Sequence, residues 1–416
     1  MSQAIRYVGA RVIDPASGLD AVASVVIGDG RMQALGAAAD AVTGIETRDA
    51  TGCWITPAFV DLCARLREPG PKQHGTLASE TRAAAAGGFR HLVLPPDTDP
   101  VIDHGALALQ VIEKAQAAGH ARVWPVGALT KGLEGKALSA MGGLKAAGCI
   151  GVGQARRAVA SPETLLRCLE YASSLGLTVF LSPEEPSLAA GCAHDGFTAA
   201  RLGLTGIPAS AETVALATAL LLVEQTGVRA HIGQLSCAAS VRLIEIAKAR
   251  GLPVTADVSM HQLHLTDAAI DGFNAFAHVR PPLRSEDDRV ALLAGVRDGI
   301  IDAICSDHQP LNASAKLAPF AEALPGMSTL ELVLPLGLQL VERGELSASR
   351  LIQALTVSPA GIIGQPVGRL GEEGAGALLI DPAATWTVGR DTLLSAGANT
   401  PWQGQVMTGR VRAVLA

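Results

Sequence analysis

Eight short apolar runs recur along the middle of the 416-residue chain, and Ala- and Leu-rich segments of helical length separate most of them. The runs occupy residues 54–62, 91–94, 122–126, 149–152, 178–181, 229–232, 253–258 and 302–305. Short buried strands that alternate with helices are typical of parallel sheets covered by helices. An open doubly wound sheet would often carry a glycine-rich phosphate loop after its first strand, and this sequence has none there. The pattern therefore favours an α/β fold, a (β/α)8 TIM-like barrel over residues 54–364.

The two ends of the chain have a different pattern, because apolar and polar residues alternate there between turns. Strands are predicted at Arg6–Val12 and Ala23–Ile27, and again at Gly376–Asp381 and Gly404–Val414. Since both ends are rich in predicted strands, we expect residues 1–53 and 365–416 to form one small accessory β domain.

Several residues mark where helices should begin. Ser161 followed by Pro162 is typical of a helix N-terminus, and Ser328 with Glu331 has the spacing of a capping box. Residues 311–326 have no clear period, so we predict a long loop between the eighth strand and its helix.

Composition narrows the classes of partner and compartment. The formal net charge is −6 and 17% of the residues are charged, which argues against a nucleic-acid-binding protein. No run approaches the roughly 18 apolar residues that a membrane helix needs, and Met1–Arg6 lacks the apolar core of a signal peptide. The seven cysteines are scattered and form no C-x-x-C pair, which is typical of a reduced protein. We therefore expect a cytoplasmic protein that binds neither nucleic acid nor membrane.

The segment that ends the first run carries a family resemblance. Residues 61–70 read D-L-C-A-R-L-R-E-P-G, which resembles the D-x-H-x-H-x-R-x-P-G of the dihydroorotase branch of the amidohydrolase superfamily. Similar segments follow over almost the whole chain, at residues 84–89, 130–132, 145–148, 281–289, 306–308 and 399–401. The resemblance implies the same barrel, with its site at the C-terminal ends of the strands.

The metal ligands of the family are where this chain departs from it. The resemblance implies one or two zinc ions held by the first-strand histidine pair, a bridging carboxylate, further histidines and a final aspartate. In this chain the two histidine positions hold Cys63 and Arg65. The later positions hold Gln154 after the fourth strand, Ser182 after the fifth and Gln234 after the sixth. Of the expected set only Asp307 remains.

The positions that the family uses to contact substrate have also changed. Asp97 and Arg280 stand where the family has asparagines, and Leu311 replaces its last histidine. Arg67, which the resemblance implies would grip a substrate carboxylate, is present. Residues 67–70 are equally well interpreted as a structural turn. Together with the altered metal positions, Asp97, Arg280 and Arg67 are predicted to line a vestigial pocket that contains no catalytic residue.

Electrostatics argues against zinc at these positions. Arg65 would place a permanent positive charge on the strand face where the metal ion has to lie. Two like unit charges at roughly 4 Å repel by about 4 kcal/mol at an effective dielectric constant of about 20. We therefore expect zinc, and any other cofactor, to be lost. Two arrangements remain open: Arg65 pairs with Asp307, or Arg65 bends to solvent and Asp307 is hydrogen-bonded or hydrated.

Other reactive residue types have a structural interpretation beside the functional one. Cys63 is a reactive thiol or, more simply, a small buried cysteine, because no base is placed beside it in sequence. His231 and His261 are either catalytic or satisfied histidines in or beside strands. Asp307 and His308 are adjacent on a strand-like segment, so their side chains should point to opposite faces and act separately.

The resemblance extends to inactive homologues that associate, in some bacteria, with aspartate carbamoyltransferase of pyrimidine biosynthesis. It implies a non-catalytic assembly subunit of that transferase, in a hetero-dodecamer with six chains of each kind, and self-association as a dimer. One alternative is an active amidohydrolase, a dihydroorotase with an atypical or absent metal site. Another is a sensor that binds an anionic pyrimidine intermediate around Arg67 and Arg280.

Overall fold

Strands and helices alternate through the middle of the chain, as the sequence predicts. The computed structural model describes residues 4–415, so residues 1–3 of the N-terminal segment lie outside it, as does Ala416. The strands are β1 (Ile5–Asp14), β2 (Leu19–Gly28), β3 (Arg31–Leu35), β4 (Glu46–Asp49), β5 (Trp54–Pro57), β6 (Phe59–Asp61), β7 (Phe89–Leu94), β8 (Arg122–Ala128), β9 (Gly151–Gly153), β10 (Thr178–Leu181), β11 (Ala193–His194), β12 (Gly206–Ile207), β13 (Ala230–Ile232), β14 (Val254–Ser259), β15 (Ala303–Cys305), β16 (Ala377–Thr387) and β17 (Val406–Leu415).

The helices lie mainly between the central strands. They are α1 (Ala37–Asp40), α2 (Leu77–Ala86), α3 (Gly105–Ala118), α4 (Met141–Ala146), α5 (Pro162–Ser174), α6 (Phe197–Leu202), α7 (Ser210–Thr226), α8 (Ala238–Ala249), α9 (Glu286–Arg297), α10 (Val333–Glu342), α11 (Ala348–Leu355) and α12 (Val357–Ile362). Within residues 4–415, none of them is long and apolar enough to span a lipid bilayer.

The central strands form an eight-stranded sheet in the order β15-β14-β13-β10-β9-β8-β7-β6, with every neighbouring pair parallel. The two outer strands meet at their C-terminal ends, where Ala64 and His308 form a parallel bridge. The Asp61 carboxylate adds to this closure by accepting hydrogen bonds from Ser306. The fold is therefore the predicted (β/α)8 TIM-like barrel.

The two ends of the chain form one seven-stranded sheet beside the barrel, which confirms the accessory β layer. Its order is β17-β16-β5-β1-β2-β3, and β4 pairs with β1. The apolar run 54–62, predicted as one barrel strand, is in fact two strands. Residues Trp54–Pro57 pair with β1 and β16 in the accessory sheet, and the barrel strand begins at Phe59. Both strands are fully buried, so hydrophobicity alone does not show where the chain passes from one sheet to the other.

The predicted helix starts have mixed outcomes. Ser161 caps α5 by accepting a hydrogen bond from the Thr164 amide, as expected. The capping box at Ser328 and Glu331 is wrong, because α10 begins at Val333. The Glu331 carboxylate instead accepts hydrogen bonds from the amides of Leu394 and Ser395, far along the chain. The long loop 311–326 is confirmed and contains one 3-10 turn at Ala313–Lys316.

Inside the barrel, a phenylalanine packs beside a strand that contains two glycines. Phe180 of β10 lies against β9, where Gly151 and Gly153 leave room for it. A Cβ atom added at Gly151 would lie 2.6 Å from the Phe180 ring and 2.4 Å from the Thr178 carbonyl oxygen. Contacts that short cannot be relieved without moving the strand, so the two glycines are a packing requirement of this barrel.

We expect Gly151→Ala to lower the free energy of unfolding by about 1–3 kcal/mol, because it overpacks the interior beside Phe180. Gly143→Ala is the matched control, since a Cβ there in α4 meets no atom within 4 Å. That change should be neutral or stabilising by up to about 1 kcal/mol. Urea unfolding of both variants measures the difference, and equal stability of the two would contradict the packing argument.

Candidate vestigial pocket

An arginine joins three strand ends at the C-terminal mouth of the barrel. The Arg65 Nε donates to Asp97 Oδ2 at 2.9 Å, and its Nη1 donates to Asp307 Oδ1 at 3.1 Å. The Arg65 side chain is 11% exposed and that of Asp307 is 1% exposed. The pairing of Arg65 with Asp307 is therefore confirmed, and the alternative in which Arg65 bends to solvent is wrong. Burial favours the neutral form of Asp97, but the Arg65 guanidinium outweighs it and lowers the pKa of Asp97.

Cys63 lies under this ion pair and is buried. Its Sγ is 3.5 Å from Asp307 Oδ1 and 3.6 Å from Arg65 Nη1. Burial raises the pKa of the Cys63 thiol well above its ordinary value, more than the neighbouring Arg65 lowers it. A thiol that stays protonated is a poor nucleophile, so the geometry agrees with a small buried cysteine.

A second arginine, which the sequence analysis did not include in the pocket, completes the network. Arg156 Nη2 lies 3.8 Å from Asp307 Oδ2 and donates to Gln234 Oε1 at 3.1 Å. The Ser182 hydroxyl donates to the same Gln234 oxygen at 2.9 Å. Arg156 lies two residues after Gln154, in the segment where the family's bridging carboxylate is missing. A cationic residue in that segment is the signal that could have identified Arg156 as part of the pocket.

These residues do not fit a zinc ion. Zinc sites use about four thiolate, imidazole or carboxylate ligands around the ion. Here the thiol and the carboxylate that remain, Cys63 and Asp307, are both in contact with the Arg65 guanidinium. Within residues 4–415, no group of three or more His, Cys, Asp and Glu side chains is arranged to hold a metal ion.

Three predicted pocket residues lie apart from this network. Gln154 points to the loop before α4, where it accepts from Thr130 and donates to the Leu133 carbonyl. Arg280 makes a bidentate ion pair with Glu184 at 2.7 and 2.8 Å. Arg67 donates to the Pro310 carbonyl at 2.9 Å, and burial, together with nearby Arg65, lowers its pKa to about 10. Arg67 and Arg280 are thus held by the protein itself, at separate places on the rim.

The histidines near the mouth make structural contacts. His231 is buried and bonds to Asp257 Oδ2 and Thr255 Oγ1, each at 2.9 Å. His261 bonds to Ser259, but its Nδ1 has no hydrogen-bond partner among the described residues, and burial lowers its pKa to about 4. The structural interpretation predicted that both histidines would have hydrogen-bonded ring nitrogens. This is confirmed in full for His231 only.

Asp307 and His308 have separate partners, as predicted. His308 Nε2 lies 2.9 Å from Glu80 Oε2, whereas Asp307 contacts Arg65 and Arg156. The His308 Nδ1 accepts a hydrogen bond from the Thr329 amide, so the proton on this ring is assigned to Nε2 and points to Glu80. The two residues therefore do not form an acid–base pair.

The backbone around the mouth adopts sparsely populated conformations. Four residues that follow barrel strands have positive φ angles: Arg67 at 60°, Ala155 at 50°, Gln234 at 54° and Asp307 at 44°. Residues other than glycine seldom adopt this region, and such strain persists only where surrounding contacts enforce it. The loops that surround the mouth are therefore rigidly built.

The open space inside the mouth is divided unevenly. The cavity bounded by Cys63, Arg65, Ser182, His231 and Gln234 has a volume of about 30 Å³. That is enough for water but far below the few hundred cubic ångströms of a usual ligand pocket. Past Ser182 the mouth continues into a space of about 190 Å³ that Gln154 and Glu184 also line.

The barrel, its accessory sheet and the position of this mouth define the class of protein as an amidohydrolase-type barrel. The amidohydrolase family profile matches residues 151–392, and the dihydro-orotase-like profile matches residues 52–240. A dihydroorotase-like protein of Pseudomonas aeruginosa is 47% identical over 98% of this chain and 96% of its own length. The chain therefore belongs to the dihydroorotase-like branch of the amidohydrolase family.

Other relatives agree with this assignment. A protein named dihydroorotase from Anaeromyxobacter dehalogenans is 43% identical over 99% of this chain and 96% of its own length. Among solved structures, an L-hydantoinase from Arthrobacter aurescens superposes with a TM-score of 0.87 at 22% identity, covering 100% of this chain and 95% of its own. At that identity the likeness shows the fold alone.

We expect Arg65→Met to lower the free energy of unfolding by about 3–5 kcal/mol, because it leaves Asp97 and Asp307 without their shared cation. The triple variant R65M/D97N/D307N should recover most of this loss, since it removes the uncompensated charges as well. Chemical denaturation measures both.

Arg297→Gln is the control for loss of a surface arginine, because the pair between Arg297 and Asp298 is exposed. It should leave stability almost unchanged. If R65M costs no more than R297Q, Arg65 does not neutralise the mouth.

Proposed function

We propose that this chain is a non-catalytic dihydroorotase homologue, a pseudoenzyme that has lost zinc. The observation that carries the proposal is the Arg65 guanidinium, which contacts both Cys63 and Asp307, the only members of the altered metal set that still offer a zinc-type donor. A fixed organic cation there would compete with a divalent ion for the same carboxylate. We derive no catalytic step through zinc, because the donors do not suit it.

The other side chains at the mouth support the same proposal. Opening or closing a cyclic amide needs an activated nucleophile or a general base near the reacting carbonyl. Asp307, the carboxylate that remains of the metal set, is already ion-paired to Arg65. Ser182 and Gln234 are uncharged and hydrogen-bonded to each other. The cavity that they share with Cys63 and Arg65 has a volume of only about 30 Å³.

We further propose that the barrel acts as an assembly subunit of aspartate carbamoyltransferase, in a complex with six chains of each kind. This part rests on the resemblance to inactive homologues and on similarity over nearly the whole chain. Relatives at 46–47% identity carry the qualified name dihydroorotase-like. A barrel kept whole around an altered metal site suggests that its outer surface is the useful part. Self-association as a dimer would give such a complex its symmetry.

The competing proposal is an active amidohydrolase with an atypical or absent metal site. One observation favours it, and a second is compatible with it. Relatives at 40–43% identity carry the unqualified name dihydroorotase. The strained loops of the mouth are of the kind that also surrounds working active sites. Metal content and activity separate the two proposals.

For the purified chain we expect substoichiometric zinc by elemental analysis and no conversion between dihydroorotate and carbamoylaspartate. The double variant C63H/R65H serves as a comparison, because it removes the guanidinium and supplies two imidazoles on the same strand face. It should retain more zinc than the parent chain. Stoichiometric zinc with turnover in the parent chain would refute the pseudoenzyme proposal.

Co-expression with the aspartate carbamoyltransferase of the same organism tests the assembly role. We expect a single complex with six copies of each chain by mass measurement, and higher transferase activity than when the transferase is expressed alone. R65M, with its expected loss of stability, should lower the yield of complex. A transferase that is fully assembled and active by itself would count against this role.

A further inference from the structure

A second and much larger cavity lies at the opposite end of the barrel. It opens at the N-terminal ends of β9, β10, β13 and β14, and residues 361–365, at the end of α12, form one wall. Its volume is about 580 Å³, within the range of pockets that hold small organic ligands. We call it the lower cavity.

The lower cavity is separate from the vestigial pocket. The two share no lining residue. Phe180, which packs against Gly151 inside the barrel, lines the vestigial pocket and is absent from the lining of the lower cavity. A ligand in one cavity would therefore not occupy the other.

The charged residues that line the lower cavity are both cationic. Lys145 and Arg229 line it, and its lining contains no Asp or Glu. Lys145 Nζ donates to the Leu175 carbonyl at 2.6 Å and Arg229 Nη2 to the neighbouring Gly176 carbonyl at 2.8 Å, so both cationic groups lie at the same turn. Over residues 4–415, neither makes an ion pair with a carboxylate. Most of their hydrogen-bond donors are thus available to an anion.

The rest of the lining combines apolar side chains with two hydroxyl groups, the thiol of Cys149 and the Gln365 side chain. Ile150, Val254 and Ile362 contribute apolar surface. Thr178 and Thr255 supply the hydroxyls, and Thr255 Oγ1 is bonded to His231 Nδ1 at 2.9 Å. An apolar cavity with a few convergent polar groups and an unpaired pair of cations is complementary to a molecule with an apolar body and one anionic group.

We propose that the lower cavity binds a small organic anion, a carboxylate or phosphate ester with a compact apolar body, held by Arg229 and Lys145. The proposal goes beyond the assembly role and does not depend on it, because the cavity lies outside the vestigial pocket and its charge does not involve Arg65. Binding there would not require zinc, because the two cavities share no lining residue.

Calorimetry on the full chain with phenylphosphate and benzoate tests the site, with inorganic phosphate and phenol as probes that lack one half of the proposed ligand. We expect saturable binding of at least one of the two organic anions, at least about tenfold tighter than phosphate or phenol. Arg229→Gln and Lys145→Gln should each weaken that binding about tenfold. Two variants are used because either one alone could also disturb the turn at Leu175 and Gly176.

Two controls locate the binding. Arg250→Gln removes a cation that is already paired with Glu224 and lies outside the cavity lining, so binding should be unchanged. Arg67→Gln removes the cation at the rim of the vestigial pocket and should likewise have no effect. The proposal is overturned if neither anion binds, if R229Q and K145Q bind as the parent chain does, or if R67Q is the variant that loses binding.

Discussion

The structure of the C-terminal mouth of this barrel depends on an arginine that compensates the charge of buried carboxylates. Asp307 is almost fully buried, and Asp97, which follows β7, contacts the same Arg65 guanidinium. Buried carboxylates are costly unless a cation and hydrogen bonds satisfy them. Arg65 serves both, because its Nε faces Asp97 while Nη1 faces Asp307, a fork that a lysine cannot reproduce. The same side chain thereby ties the first barrel strand to the second and to the last, where the barrel closes.

The architecture could be predicted because the hydrophobic pattern of the sequence repeats along the chain. Eight apolar runs and two β-rich ends were sufficient for a barrel and an accessory sheet. What the pattern did not show was the transfer between them at residues 54–62, since a strand buried in either sheet is equally apolar. The capping box failed for a related reason. Glu331 has the right local spacing, but the amides of Leu394 and Ser395 reach it through tertiary structure.

Prediction of the mouth succeeded where strand position alone decided contact. Arg65 and Asp307 follow the first and the eighth strands, which are neighbours in a closed barrel, so the strand order made their pairing one of the two arrangements that the sequence left open. For Gln154, Arg280 and Arg156 the backbone conformation after the strand sets where each side chain reaches. The sequence grouped Gln154 and Arg280 with the pocket, whereas Gln154 bonds to the segment after β8 and Arg280 to Glu184 after β10. Arg156, which the sequence analysis omitted, contacts Asp307.

The strained loops bear on whether the mouth is a working site, and the contacts that enforce the strain lie within the protein. The backbone amide of Gln234 donates to Asp257 Oδ1 at 2.6 Å, and the Arg67 side chain donates to the Pro310 carbonyl. Asp307 is followed directly by His308, which Glu80 and the Thr329 amide hold in place. Because these contacts need no ligand, the loop shape is equally compatible with an active and an inactive protein. The charge at the mouth is the more discriminating property, since the Arg65 guanidinium already contacts the carboxylate that a divalent cation would need.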